Sequence, residues 1–178
     1  MRIGVVLIVA VLSALIPGPV MAQENGQKTG AACAAMDAQL PAELSGWATK
    51  SAVTAAKGED GLAAATVKVG TGYDAALLPT PQVAYLSQPE KPGGSVSRGG
   101  LFQFNVEKEG TYRVALGSAA WIDLIEGGKA LQAATFGHGP DCTSIRKIVD
   151  FKLKSGLHTL QISANASDKL PLMVAAKP

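Results

Sequence analysis

Short alternating segments between residues 99 and 164 constrain this chain more than any other feature. Their apolar residues recur at every second position, the period of a β-strand: Phe102, Phe104, Val106; Tyr112, Val114, Leu116; Val149, Phe151, Leu153; Leu160, Ile162. Turns that contain glycine or charged residues separate the segments about every ten residues, a spacing typical of sandwiches and barrels. The pattern predicts an all-β protein, a single antiparallel β-sandwich of jelly-roll-like form with an irregular N-terminal arm.

The remaining segments give weaker strand patterns. Residues 66–69 are the first plausible strand, and residues 82–86 fit an edge strand because prolines precede them. Residues 129–135 are expected to pair back across the Gly127-Gly128 turn, and residues 170–174 to form a final edge strand. Arg146, Lys147 and Asp150 are expected to lie on a solvated strand face. Residues 50–65 fit either a short helix or a surface loop.

The N-terminus has the pattern of a signal peptide. Arg2 precedes an uncharged apolar run, Pro17 and Pro19 break that run, and Ala22 ends a small-residue cleavage pattern. A membrane anchor is the alternative, but the run is too short to cross about 30 Å of hydrocarbon. We therefore expect residues 1–22 to be a signal peptide, 23–39 a flexible mature N-terminus and 40–178 the domain. The mature protein would be periplasmic or secreted, with no membrane span after cleavage.

Two cysteines, Cys33 and Cys142, are present. An even pair in an exported protein most often forms a disulfide, which here would tie the N-terminal arm to the loop at 136–142. Closing so long a loop would stabilise the fold by about 4 kcal/mol. A metal site made of cysteine and histidine is the alternative, but it would need more ligands nearby than the sequence offers.

The charge balance and the motifs argue against several function classes. The chain has 16 basic and 14 acidic side chains, with no basic cluster dense enough to follow a phosphate backbone, so nucleic acid is not an expected partner. No Gly-x-Ser-x-Gly nucleophile elbow is present. A non-catalytic role is therefore favoured over an enzyme.

A binding role is expected at two turn-rich loops, residues 89–100 and 136–142. Lys91, Arg98 and His138 would supply donors there, which favours an anionic or hydroxyl-rich partner such as an envelope carbohydrate or a protein. Trp121 could add an aromatic surface together with Tyr73 and Tyr85, or it could pack in the core.

Several phrases of the C-terminal half resemble jelly-roll accessory modules of secreted bacterial proteins, of the pre-peptidase C-terminal and carbohydrate-binding-module types. The phrases are Gly-Thr-Tyr-Arg-Val at 110–114, Trp-Ile-Asp-Leu at 121–124, Gly-Lys-Ala-Leu at 128–131 and Gly-x-His-Thr-Leu-x-Ile at 156–162. The resemblance implies a sandwich fold and an accessory binding role.

Other phrases resemble a group of small exported proteins of sphingomonad-type α-proteobacteria that often carry the label homogentisate 1,2-dioxygenase. They are Leu-Pro-Ala-Glu-Leu-x-Gly-Trp at 40–47, Leu-Pro-Thr-Pro at 78–81, Pro-Glu-Lys-Pro-Gly-Gly-Ser-Val-Ser at 89–97 and Gly-His-Gly-Pro-x-Cys at 137–142. That label implies an iron-dependent ring-cleaving dioxygenase as the alternative function. Its iron would need two histidines and a carboxylate, so both His138 and His158 would have to be ligands. Without iron, no cofactor is expected.

Overall fold

The computed structural model describes residue 33 and residues 35–178, and that part of the chain contains eleven strands. The expected signal peptide at 1–22 and most of the 23–39 segment lie outside the described residues. The strands are β1 (Lys50–Thr54), β2 (Gly72–Ala76), β3 (Leu78–Pro79), β4 (Arg98–Val106), β5 (Gly110–Leu116), β6 (Trp121–Glu126), β7 (Lys129–Ala130), β8 (Thr135–Gly137), β9 (Lys147–Leu153), β10 (Gly156–Asn165) and β11 (Lys169–Ala176). Short 3-10 helices occupy Ala42–Ala48, Glu59–Ala65 and Thr80–Gln82. None of these described helices is long and apolar enough to cross a membrane.

The strands form two sheets. One has six strands in the order β1-β2-β11-β5-β9-β8, and the other has five in the order β3-β4-β10-β6-β7. The β1–β2 pair is parallel and the remaining pairs are antiparallel. The expectation of an all-β protein is confirmed.

One hydrophobic cluster takes side chains from both sheets. Phe102 and Phe104 come from β4 and Leu160 from β10, while Val114 of β5 and Phe151 of β9 come from the other sheet. All five are at most 1% exposed. These are the residues that the two-residue period assigns to one face of each strand, so the predicted central strands and their inward faces are confirmed.

The first strand is not where the sequence pattern suggests. Residues 50–54 form β1, whereas residues 66–69 form only an isolated bridge from Thr66 to Gln103. The Lys68 N–H donates to the Tyr73 hydroxyl at 3.0 Å instead of to a neighbouring strand. The region left open at 50–65 is thus a strand followed by a 3-10 helix.

Residues 82–86 do not form the expected edge strand. The Val83 N–H closes a turn onto the Thr80 carbonyl, and the Leu86 N–H donates to the Gln161 side chain at 3.0 Å. A buried side chain thus replaces the strand partner that this backbone would otherwise need.

Two C-terminal pairings also differ from expectation. Within 129–135, Lys129–Ala130 pairs with β6 and the Leu131 N–H donates to the Leu124 carbonyl, whereas residues 135–137 pair with β9 of the other sheet. The last strand is central, since β11 lies between β2 and β5. Pro171 fits there because its carbonyl accepts the Gly117 N–H just past the end of β5, so its missing N–H falls outside the ladder.

The N-terminal arm covers the outer face of the six-stranded sheet. Leu44 and Trp47 are fully buried in a second cluster that includes Ala115 of β5, Ile148 of β9 and Met173 of β11. These three strand residues alternate with the main-core positions, so the sheet is apolar on both faces.

The arm is also joined to the loop that precedes β9. Cys33 and Cys142 form a disulfide with their Cα atoms 5.3 Å apart, which confirms that prediction. Ser144 donates from its hydroxyl and its N–H to Asp37, at 2.6 and 2.7 Å, and accepts the Trp47 indole N–H at 2.8 Å.

Candidate functional site around Trp121

Strands β6 and β10 present polar side chains on the face opposite the main core. Trp121 lies directly across from Ser163, and Asp123 across from Gln161. The Trp121 indole N–H donates to one Asp123 oxygen at 2.9 Å, and the Gln161 amide donates to the other at 3.3 Å. The indole is therefore held in place by the carboxylate beside it on the same strand face.

Two lysine ammonium groups lie against the Trp121 ring. The Nζ atoms of Lys91 and Lys147 are each 5.1 Å from the ring centroid, within cation–π range. Lys147 also donates to the Ala120 carbonyl at 2.8 Å. We call Lys91, Trp121, Asp123, Lys147, Gln161 and Ser163 the Trp121 site.

Lys91 and Lys147 reach the indole from different parts of the fold. The Lys91 carbonyl accepts the Ser163 hydroxyl at 2.8 Å, which fastens the 87–97 loop to β10. Lys147 is the first residue of β9 and shares its face with Val149 and Phe151. Its side chain therefore extends from the edge of the main core, and its ammonium group lies against the Trp121 ring.

Two ionisable groups of the site, Lys147 and Asp123, have pKa values shifted from their ordinary ones. Burial lowers the pKa of Lys147 and the positive charge of Lys91 lowers it further, while Asp123 opposes both effects. Burial also raises the pKa of Asp123, against the hydrogen bonds from Trp121 and Gln161, and the charge of Glu90 adds to the rise.

Neither lysine of the Trp121 site has an ion pair within the described residues. The ion pairs found there join Arg113 to Glu43 and to Asp150, and Lys177 to Asp150. The site thus holds two ammonium groups that no carboxylate among residues 33 and 35–178 neutralises by direct contact.

Gly93 shapes the loop that carries Lys91. Its φ is +80°, and a Cβ atom there would lie 2.4 Å from the Ser97 hydroxyl and 2.9 Å from the Ala164 Cα. The Ser97 hydroxyl itself donates to Gly94 at 2.6 Å and contacts the Thr80 hydroxyl at 2.8 Å. The loop is an ordered turn packed on the end of β10.

Of the four predicted ligand-binding residues, the structure brings Lys91 and Trp121 together and places the other two elsewhere. Arg98 begins β4, which lies on the other side of β10 from β6. His138 is exposed, with its Nδ1 3.3 Å from the Arg146 carbonyl, and it borders a depression of about 480 Å³ lined also by Met36 and Ser118. No hydrogen bond of the described residues joins Arg98 or His138 to the Trp121 site.

The two glycines at the end of the 89–100 loop are buried and do not expose their backbone to a ligand. Gly99 and Gly100 are buried in β4, where a Cβ atom would lie 2.1 Å from the Tyr85 hydroxyl and 2.3 Å from the Ala55 Cβ. They permit close packing of the segments that cover β4. Of the two alternatives for the aromatic residues, Tyr73 and Tyr85 follow core packing, because Tyr73 is buried in the main core and Tyr85 packs on Gly99.

The two histidines that an iron site would need have other surroundings. His158 is 6% exposed, stacks on Phe104 with ring centroids 5.8 Å apart, and pairs its Nε2 with the Lys154 carbonyl at 2.8 Å. Among the residues that the structure describes, no group of three or more His, Cys, Asp and Glu side chains could hold a metal ion.

Asp150 and Lys147 depart most from the sequence expectation of a solvated strand face. Asp150 is 1% exposed and accepts two bonds from Arg113, one from Lys177 and one from Thr135, at 2.9 to 3.1 Å. Burial opposes ionisation of this carboxyl, but the donated hydrogen bonds outweigh burial and lower its pKa to about 2. This network joins β5 and β9 to the arm, through the bond from Arg113 to Glu43, and to the C-terminus, through Lys177.

Sequence inspection missed Lys147, Asp123 and Gln161 as members of the site. A signal for Lys147 exists, because it has the parity of Val149 and Phe151 and so belongs to the core-facing side of its strand. The pairs Trp121–Ser163 and Asp123–Gln161 depend on the β6–β10 register, for which the sequence carries no local signal.

Comparison of the sequence with models of protein families gives no match, and comparison with curated proteins gives none either.

Proposed function

We propose that this protein is an exported, non-catalytic binding or interaction module of the jelly-roll-like β-sandwich type, and that its ligand binds at the Trp121 site. The observation that carries the proposal is the pair of ammonium groups against one indole ring, without an ion-pair partner in the described part of the chain. Ordered cations at a partly dehydrated surface are a common basis of ligand recognition.

Three further features support this function. The 87–97 loop bonds to β10 at Ser163 and the start of β9 bonds to Ala120 just before β6, so both lie beside the paired residues Trp121 and Ser163. Loops at sheet ends are where such scaffolds usually bind partners. The Cys33–Cys142 disulfide favours an oxidising compartment, which supports export to the periplasm or beyond. The similarity of the 89–97 phrase to small exported α-proteobacterial proteins is in keeping with that location. The partner would be a carbohydrate or a protein of the cell envelope.

The proposal is tested by retention on envelope material. Mature protein, its Lys91→Gln/Lys147→Gln variant and a Lys68→Gln/Lys152→Gln control are passed over insoluble cell-envelope fractions. Lys68 and Lys152 are exposed lysines outside the site, so the control removes the same charge. We expect the envelope material to retain the parent and the control, and to bind the site variant about tenfold more weakly. Equal retention of all three proteins would contradict a role of the Trp121 site.

The dioxygenase alternative gains no specific support from the geometry of His158, whose Nε2 already pairs with the Lys154 carbonyl. It remains testable by metal analysis of protein purified from the periplasm. Stoichiometric iron that is lost in a His138→Ala variant, together with oxygen uptake on homogentisate, would replace the binding proposal with an enzyme.

A further inference from the structure

The arrangement of charge at the Trp121 site points to the chemical class of its ligand, and this inference rests on the proposed function. We propose that the site binds an oxyanion group, a carboxylate or a phosphate, through the ammonium groups of Lys91 and Lys147. Both Nζ atoms lie 5.1 Å from the same ring centroid, so they are at most twice that distance apart. The two ammonium groups are close enough for the charge of Lys91 to act on Lys147, so one anionic group could interact with both.

The hydrogen-bonding capacity of Lys147 is only partly used. An ammonium group has three donors, and the Ala120 carbonyl takes one of them at 2.8 Å. The side chain is half-buried, and Lys91 adds a like charge nearby. An oxyanion would supply acceptors for the remaining donors and offset the repulsion between the two lysines.

The carboxylate closest to the indole is not placed to take this role. Both Asp123 oxygens already accept hydrogen bonds, one from the Trp121 indole and one from the Gln161 amide. The same Gln161 amide also donates to the Ser87 carbonyl at 2.9 Å, which holds it in place. Neither Lys91 nor Lys147 forms an ion pair with Asp123 or with another carboxylate of the described residues, so a ligand oxyanion would be their direct partner.

The neighbouring acidic groups restrict the kind of anion. Glu90 lies close enough to Asp123 for its charge to raise the pKa of Asp123. The negative charges of these two carboxylates nearly balance the positive charges of Lys91 and Lys147. A polyanionic chain would meet more repulsion from them than a single oxyanion that contacts only the ammonium groups. An acidic sugar or a phosphate group fits this balance better than a nucleic acid.

The indole N–H resonances of the protein provide the assay. The chain has two tryptophans, and Trp47 is a built-in control because its buried N–H is bound to Ser144 on the other sheet's outer face. Galacturonate, its uncharged methyl ester and inorganic phosphate are titrated separately into the ¹⁵N-labelled mature protein at low salt. We expect galacturonate or phosphate to shift the Trp121 resonance and leave the Trp47 resonance unchanged, and the methyl ester to shift neither.

Variants complete the test. Lys91→Gln/Lys147→Gln should weaken the response to the anion about tenfold, and Lys68→Gln/Lys152→Gln should leave it unchanged. A response to galacturonate alone identifies a carboxylate source, and a response to phosphate alone identifies a phosphate source. The oxyanion proposal would be overturned if the methyl ester shifted Trp121 as much as galacturonate does, or if the site variant responded to the anion as the parent does. If no anion shifts Trp121 while envelope material still retains the parent through the two lysines, the oxyanion fails and the binding function stands. If no anion shifts Trp121 and the envelope material does not retain the parent through the two lysines either, both the oxyanion proposal and the proposed binding function fail.

Discussion

At the scale of single residues, the buried carboxyl of Asp150 makes stability depend on pH. Its carboxyl has a pKa of about 2 in the folded protein, against 3.8 for an ordinary aspartate. The unfolded chain therefore binds more protons than the folded protein between these values. The stabilisation from this group is complete above the ordinary pKa and is lost as the pH falls toward 2.

We predict that acidification from pH 5 to pH 2 removes about 2 kcal/mol of the unfolding free energy through Asp150. Asp150→Asn should lower stability at pH 7 by about 3 to 5 kcal/mol, because it leaves Arg113 and Lys177 without their buried counter-charge. Urea unfolding of both proteins across this pH range measures the effect. If the difference in unfolding free energy between parent and variant does not narrow at low pH, the role assigned to Asp150 is contradicted.

Gly93 gives a second prediction at this scale. Gly93→Ala should cost about 1 to 3 kcal/mol, because φ is +80° and the new Cβ would overlap Ser97 and Ala164. The displaced loop should also carry Lys91 away from Trp121 and shift the Trp121 indole resonance. Gly94→Ala is the matched control, since no atom lies within 4 Å of a Cβ there. Equal effects of the two substitutions would show that the loop is not held as described.

At the scale of elements, the strands that alternate cleanly in sequence are those found in the structure. Strands β4, β5, β9 and β10 were predictable because one face of each is buried and the other is polar or partly covered. Segments 66–69 and 82–86 have strand-like composition, but one backbone N–H in each, of Lys68 and of Leu86, donates to the Tyr73 hydroxyl and to the Gln161 side chain. Such side-chain partners depend on tertiary contacts that local patterns do not encode.

The arm offers a test at the same scale. We predict that Ser144→Ala lowers the unfolding free energy by about 1 to 3 kcal/mol, because it leaves the buried Trp47 N–H without an acceptor and removes one bond to Asp37. Ser155→Ala, in the exposed turn before β10, should change stability by less than about 0.5 kcal/mol. If both variants unfold at the same urea concentration as the parent, the Ser144 bonds do not hold the arm.

At the scale of the whole molecule, the all-β class was predictable from the sequence, but the members of the Trp121 site were predicted only in part. Lys91 and Trp121 could be chosen from loop position and residue type, and they do meet. Lys147 joins them only because β9 of one sheet begins beside β6 of the other. Arg98 and His138 were chosen by the same loop criteria, and the paths of β4 and the 136–142 loop place them apart from the cluster.

The central claim is that ligand binding occurs at the Trp121 site, and amide hydrogen exchange on protein bound to envelope material tests it most directly. The account predicts slower exchange in residues 87–97 and 119–123 and at the start of β9, with no change in the depression of about 560 Å³ lined by Thr66, Asn105 and Tyr112. Lys91→Gln/Lys147→Gln should abolish the protection. Protection confined to that depression or to the 136–142 loop, with residues 87–97 and 119–123 unprotected, would contradict the account.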